Sequence, residues 1–380
     1  MNLYLSLDKV KVQGGMIMKS KFMILFMSLI LLGACSSKST EDQKTSEIAL
    51  ITDIGTIDDH SFNQESWEGI IDFCKEHNVS YKYYRPENKD DIAFYSEIQK
   101  AIEEGGAKVV VLPGFYFEAT AAKVQNDFPK TKFILIDALP KPNESGTIDI
   151  RDNLVPVLFR EEQAAYLAGY VTALEGYTKV GFVGGAKIPA VERYGMGFLR
   201  GLQEGAKSMN KTIDLKYKYS GAFEPSTEVQ MLGSSWYNEG TEIIFGSAGG
   251  AGQSIIKAAE DTDKRYIGVD VDQSYLSSKV VYSATKGIRK TVKNLLVENS
   301  EDKFPGGKRL SVDLNNEGVG LAFDESRLNQ IGKRDIKALL EKTKKEILDD
   351  KLVILTEHDE QGDVFTDQSL FPNLKIDYYR

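Results

Sequence analysis

The stretch Asp58-Asp59-His60-Ser61-Phe62-Asn63-Gln64 gathers carboxylates, a hydroxyl, an aromatic ring and an amide just ahead of a run with helical periodicity. Two roles compete for it. Asp or Ser oxygens at such a position accept from the free N–H groups of a first helical turn. Phe62-Asn63 suits a flat heteroaromatic ligand, the ring stacking and the amide reading one edge. The loop Gly246-Ser247-Ala248-Gly249-Gly250-Ala251-Gly252 lies between a strand pattern and a helix pattern. Backbone N–H groups there can approach a polar ligand, or the glycines serve only close strand–helix packing. Asp270 lies twenty residues after Gly250, which raises a dinucleotide fold, but the loop lacks both the Gly-x-Gly-x-x-Gly spacing and a Gly-Lys-Ser/Thr. The Asp270 carboxylate in Gly268-Val269-Asp270-Val271-Asp272-Gln273 matches a vicinal diol such as that of ribose. Asp272 and Gln273 read instead as the mark of a hinge. Lys286, after Ser283-Ala284-Thr285, reads as a lysine before a helix: solvated, or opposite Asp270 in a hydroxyl-binding pair.

Catalytic constellations fare worse. Histidine occurs only as His60, His77 and His358, and no Gly-x-Ser-x-Gly, His-Glu-x-x-His or Cys-x-x-Cys is present. His60 beside Ser61 is adjacency, not triad geometry. The many Asp and Glu leave an acid–base pair open. The reading is a binding protein, not an enzyme, with no cofactor.

These residues need elements to hold them, and the pattern supplies them. Apolar strand runs at 48–52, 81–84, 108–112 and 132–136 alternate with helical runs at 62–76, 92–104 and 119–126. After Glu161 the rhythm restarts, with helices at 164–175, 194–209, 226–237 and 252–261 and strands at 179–183, 213–219, 242–245 and 265–269. Val/Ile/Leu-rich runs in a βαβ order indicate α/β architecture with parallel sheets covered on both faces. Two such halves predict two Rossmann-like lobes joined by a hinge. Ligands of such sheets bind beyond the strands' carboxyl ends, where Asp53, Asp137 and Asp270 stand. Cys74 lies in the apolar pattern of the first helix and reads as a buried free thiol.

The first residues read as an address. Lys19 and Lys21 precede an apolar run from Phe22 to Leu32, too short for a bilayer span of about 20 residues and right for a signal-peptide core. Leu32-Gly33-Ala34-Cys35 resembles the bacterial lipobox, with Cys35 the lipidated residue. Acylation at more than one point gives stable anchoring, and the polar stretch 35–46 is then a tether. Met18 is an alternative start. The chain carries a formal charge of −9, and residues 1–34 are net basic, so the rest is more acidic still. That excludes nucleic acid as a partner. No coiled-coil or broad apolar stripe suggests an oligomer, so a monomer is expected.

Taken in order, Asp53-x-Gly55-x-x-Asp58-Asp59-x-Ser61-Phe62-Asn63-Gln64-x-x-Trp67-Glu68-Gly69, then Asp137, Gln163-Ala164-Ala165-Tyr166-Leu167-Ala168-Gly169, Gly181-Phe182-Val183-Gly184-Gly185, Gly221-x-Phe223, Gly268-Val269-Asp270-x-Asp272-Gln273 and Ser283-x-x-Lys286 resemble the basic membrane protein family. These are lipoprotein substrate-binding components of ABC transporters, of the purine nucleoside receptor type. The resemblance covers roughly residues 47–325. It implies a type I periplasmic-binding-protein fold and a purine nucleoside ligand. By that resemblance the base lies between Phe62 and Phe223, with Asp53, Asn63 and Asp137 contacting or positioning it. Asp270 and Lys286 hold the ribose, with backbone from the loop that includes Gly246 and Gly249. ABC permease subunits are the implied partners, and the lipid-anchored extracytoplasmic face of the cell membrane the location.

The expected organisation is a signal peptide at 1–34 and a tether at 35–46. An N-terminal lobe follows at 47–155 plus about 275–305, a C-terminal lobe at 156–274 plus about 306–350, and a tail at 351–380. A sugar or autoinducer on the same fold, a nucleoside-acting enzyme, and an added adhesin or sensor role stand as alternatives.

Overall fold

The computed structural model describes residues 46–53, 55–142, 146–328, 335–356 and 368–378. The expected signal segment, Cys35 and all of the tether except Ser46 lie outside them.

The first sheet is built from β1 (Ile48–Ile51), β2 (Tyr81–Tyr84), β3 (Val109–Pro113), β4 (Lys132–Ile136) and β5 (Leu154–Phe159), with α1 (Phe62–His77), α2 (Asp91–Glu103) and α3 (Glu118–Asp127) between strands. The second sheet begins after α4 (Glu161–Leu174) with β6 (Lys179–Gly184), α5 (Pro189–Ser208), β7 (Ile213–Tyr219), α6 (Thr227–Asn238), β8 (Ile243–Ser247), α7 (Gly252–Thr262), β9 (Arg265–Asp270) and β10 (Val280–Lys286). Then come α8 (Ile288–Ser300), β11 (Leu310–Val312), β12 (Val319–Phe323), α9 (Ile336–Leu348) and β13 (Leu374–Tyr378).

The first sheet runs β11-β5-β4-β3-β1-β2 and the second β12-β10-β9-β8-β6-β7-β13. All pairs are parallel except β10 with β12. Strands β1 and β3 are buried along their whole length, as expected where helices cover both faces of a parallel sheet. Cys74 is buried on α1 and forms no disulfide, and burial pushes its thiol up to about 12.

The chain passes between the two sheets three times, after β5, after β10 and between β11 and β12. The crossings are tied to one another. Arg160 N–H donates to the Val312 carbonyl at 2.9 Å and Gly287 N–H to that of Gly318 at 2.8 Å. Leu314 N–H donates to Gln163 Oε1 at 3.1 Å.

Three boundaries differ from the sequence reading. Strand β5 belongs to the first sheet, so the first passage comes at Arg160 rather than 155. Strand β10 lies in the second, so the chain returns at Gly287 rather than near 275. Strand β11 is again in the first sheet, which moves the last passage beyond 312. Asp272 and Gln273 therefore do not mark a crossing. The tail also contributes structure: β13 pairs in parallel with β7 along the outer edge of the second sheet.

Candidate functional site

A cavity of about 290 Å³ lies between the carboxyl ends of the two sheets, at the low end of the size range of small-molecule sites. Its lining includes Asp53, Phe62, Asn63, Asp137, Phe223, Gly249, Asp270 and Lys286. Eight of the nine binding positions expected from sequence thus meet at one place, although they come from segments more than two hundred residues apart. Gly246 is the exception. It sits within β8, packed against Tyr266, whose hydroxyl donates to the Gly246 carbonyl at 3.1 Å. Ser247, Gly249 and Gly250 of that stretch reach the cavity instead.

The two rings arrive from opposite lobes. Phe62 is the first residue of α1. Phe223 follows β7 and rests against Gly185, where any Cβ would lie 2.3 Å from its ring. Gly249, at φ +53°, passes close to the same ring.

The loop before α1 is held by Asp59. Its Oδ1 accepts from the N–H groups of Ser61 at 2.9 Å and Gln64 at 3.1 Å, and its Oδ2 from Asn63 N–H at 3.0 Å. Asp59 therefore does the capping, and the Ser61 hydroxyl is directed elsewhere. Asn63 Nδ2 donates to Asp53 Oδ1 and Asp59 Oδ2, both at 3.1 Å. Burial pushes the Asp53 carboxyl up to about 6, against the opposing pull of Gly55 N–H, Asn63 and Lys89.

At the other end, Asp137 and Asp270 close β4 and β9 in left-handed backbone, with φ of 58° and 64°. Such backbone costs energy for residues other than glycine, and Asp tolerates it better than most. Asp270 accepts from the Ser61 hydroxyl at 2.5 Å and the Tyr194 hydroxyl at 3.2 Å. Lys286 is the last residue of β10, not a loop residue, and its ammonium does not bond Asp270. It lies 2.5 Å from Asp137 Oδ2 and 2.8 Å from Glu161 Oε1, and 5.2 Å from the centre of the Phe62 ring. Glu161 also pairs with Arg193 at 2.5 Å.

Burial pushes Asp137 up to about 7 despite Lys286. Burial would raise Glu161 too, but Arg193 and Lys286 outweigh it and hold the carboxyl at about 2. Burial opposes the Lys286 charge, yet Asp137, Glu161 and Asp270 together keep its pKa above the ordinary lysine value. Removing one member of such a buried ionic cluster leaves the others uncompensated.

Several of these contacts join the lobes. To Ser61–Asp270 and Lys286–Asp137 are added Gln273 Nε2 to the His60 carbonyl at 3.1 Å and His60 Nδ1 with the Tyr275 hydroxyl at 3.0 Å. Tyr194, Glu161, Ser61 and Asp59 carry the site's internal order; the sequence reading offered Asp and Ser of this loop only as helix caps and gave Tyr194 and Glu161 no role. Their only signals were a polar residue at a helix start or a tyrosine inside a helical run.

No metal-binding cluster of His, Cys, Asp or Glu occurs among the described residues. None of the described helices is long and apolar enough to cross a membrane.

Residues 46–354 match the Bmp family, described as ABC transporter substrate-binding protein PnrA-like. The chain is 29% identical over 360 residues to the ABC transporter nucleoside-binding protein BmpA of Lactococcus lactis, covering 87% of this chain and 96% of that one. It is 29% identical to basic membrane protein B of Borreliella burgdorferi, covering 78% and 87%. Its fold is that of a solute-binding protein of an ABC transporter system from Aeropyrum pernix, with a TM-score of 0.72 at 22% identity, covering 83% of this chain and 95% of that one. With two parallel-dominated sheets flanking one cavity and the family match running through both, the chain belongs to the Bmp family of ABC transporter substrate-binding proteins.

Proposed function

We propose that this chain is a lipid-anchored extracytoplasmic receptor that binds a purine nucleoside between its lobes and presents it to an ABC permease. The observation that carries this reading is the pairing of Phe62 and Phe223 from opposite lobes on one cavity. The cavity has a carboxylate–amide group at one end and an Asp/Lys cluster at the other. A purine fits the first arrangement, and ribose hydroxyls fit the second. The name of the Lactococcus relative supports the ligand class. The lipobox-like Cys35 and its preceding apolar run support the anchor.

In this reading the nucleoside enters with the lobes apart and stacks on one ring, and closure brings the second ring over it. Stacking is worth about 1–3 kcal/mol per base. Lys286 and Asp270 supply charge-assisted hydrogen bonds to the sugar, stronger than neutral ones. Bending at the three crossings is the motion required. The closed form is what the permease recognises.

Calorimetry with purine nucleosides should give submicromolar binding, and free ribose should not compete. Phe62→Ala should weaken binding roughly 5- to 150-fold, the equivalent of losing about 1–3 kcal/mol of stacking. Absence of heat and of thermal shift with every nucleoside would remove the reading.

A further inference from the structure

We infer that the base end of the cavity presents two hydrogen-bond acceptors and no donor from Asn63 and Asp53, and so selects guanine among the purine bases; this rests on the nucleoside reading above. The orientation of the Asn63 amide decides it. Its Nδ2 faces two carboxylate oxygens, Asp53 Oδ1 and Asp59 Oδ2, each at 3.1 Å. Ionised carboxylates only accept, so the flipped amide would set its own oxygen against both of them. The Asn63 N–H fixes the same Asp59 oxygen from the backbone side at 3.0 Å.

With its NH₂ group so engaged, Asn63 has only Oδ1 left to offer, and that atom is buried without a hydrogen-bond partner. Asp53 supplies the second acceptor. Its Oδ1 takes Gly55 N–H at 2.6 Å and the Asn63 amide. Its Oδ2 has no donor among the described residues. Both side chains border the cavity. A buried acceptor left without a donor is costly, so the favoured ligand is one that brings donors to both.

Among the common nucleobases, only guanine carries two adjacent donors on its pairing edge, N1–H and the N2 amino group. Hypoxanthine has N1–H but no amino group beside it. Adenine turns a bare N1 lone pair toward the same place, with its single donor group next to it. Uracil and xanthine flank one N–H with two carbonyls. A site built around a ligand's donors rejects analogues that lack them, because its own polar atoms then go unpaired.

The test is calorimetric titration of the full chain, in detergent, with guanosine, inosine and adenosine. Guanosine should bind tightest, inosine about tenfold more weakly and adenosine roughly a hundredfold more weakly. Inosine or adenosine binding as tightly as guanosine overturns the inference while leaving the nucleoside reading intact. No heat with any of the three overturns the nucleoside reading itself. Asp53→Asn, whose amide can offer a donor to adenine N1, should narrow the guanosine-to-adenosine ratio. An unchanged ratio in a variant that still binds guanosine overturns the assignment of Asp53. Should that variant fail to fold, the ranking of the three nucleosides on the unaltered chain still decides.

Discussion

Three carboxyls near the cavity resist ionisation in the folded chain. Burial pushes Asp53 up to about 6 and Asp137 up to about 7, and burial with the neighbouring Glu68 pushes Glu65 up to about 7. Unfolding returns each to the ordinary carboxylate range near 4. Between about pH 4 and 7 the folded chain therefore holds more protons than the unfolded one, and stability falls as pH rises through that window. Glu161, near 4.5 when unfolded and held at about 2 when folded, works the other way only in the lowest part of that window, so the fall in stability is clearest above about pH 5. The ligand-free protein should melt at a higher temperature at pH 5 than at pH 7.5, and Asp53→Asn should shrink the difference. A Tm that drops on acidification over this range contradicts the burial-driven shifts. Asp at strand ends and Phe-Asn at a helix start stood out by residue type and place, each against a rival use, whereas Phe223 was named only through the family resemblance. The partners of those residues were not legible. Tyr194 lies 76 residues from Asp270 and Ser61 lies 209, and no local spacing can signal such a meeting.

The elements up to β9, β5 excepted, follow the hydrophobic pattern closely, because apolar runs of a parallel sheet stand out against amphipathic helices. The strands without that contrast went unread. Strand β5 contains Pro156, which argues against an interior strand, although its neighbours β4 and β11 enclose it. Strand β10 ends in Ser283-Ala284-Thr285-Lys286, polar enough to pass for a loop. Its polar groups are used inside the fold, as where Gln273 N–H donates to the Ser283 hydroxyl at 3.1 Å. Strand β13 alternates buried and accessible positions, the signature of a sheet edge. Leu374 begins it and is buried. Leu374→Ala should lower unfolding stability by roughly 2–5 kcal/mol in urea titration and leave nucleoside affinity unchanged. A loss below about 0.5 kcal/mol, the scale of an ordinary surface substitution, would mean that β13 contributes nothing to the lobe.

At the scale of the molecule, the lobes meet through polar contacts among which the Ser61 hydroxyl bond to Asp270 is buried, as Lys286–Asp137 is. Ser61→Ala leaves Asp270 short of one donor, a cost of about 1–3 kcal/mol, borne only when the lobes are together. Small-angle scattering of the ligand-free variant should give a larger radius of gyration than the unaltered chain. Identical curves would show that this bond does not bias closure. The three crossings also fix how the two lobes come into being. The first sheet needs β11 at one edge, and α8 covers α1 through the Arg289 contacts with Glu68 and Asp72. Both segments leave the ribosome only after β6 to β10 have done so, and β13 leaves after them all. The first lobe cannot finish folding until β6 to β10 of the second have been made, and the second is completed last. A nonsense codon anywhere before β11 would strip parts from both lobes at once, and a fragment ending at β5 would not fold as a free-standing half.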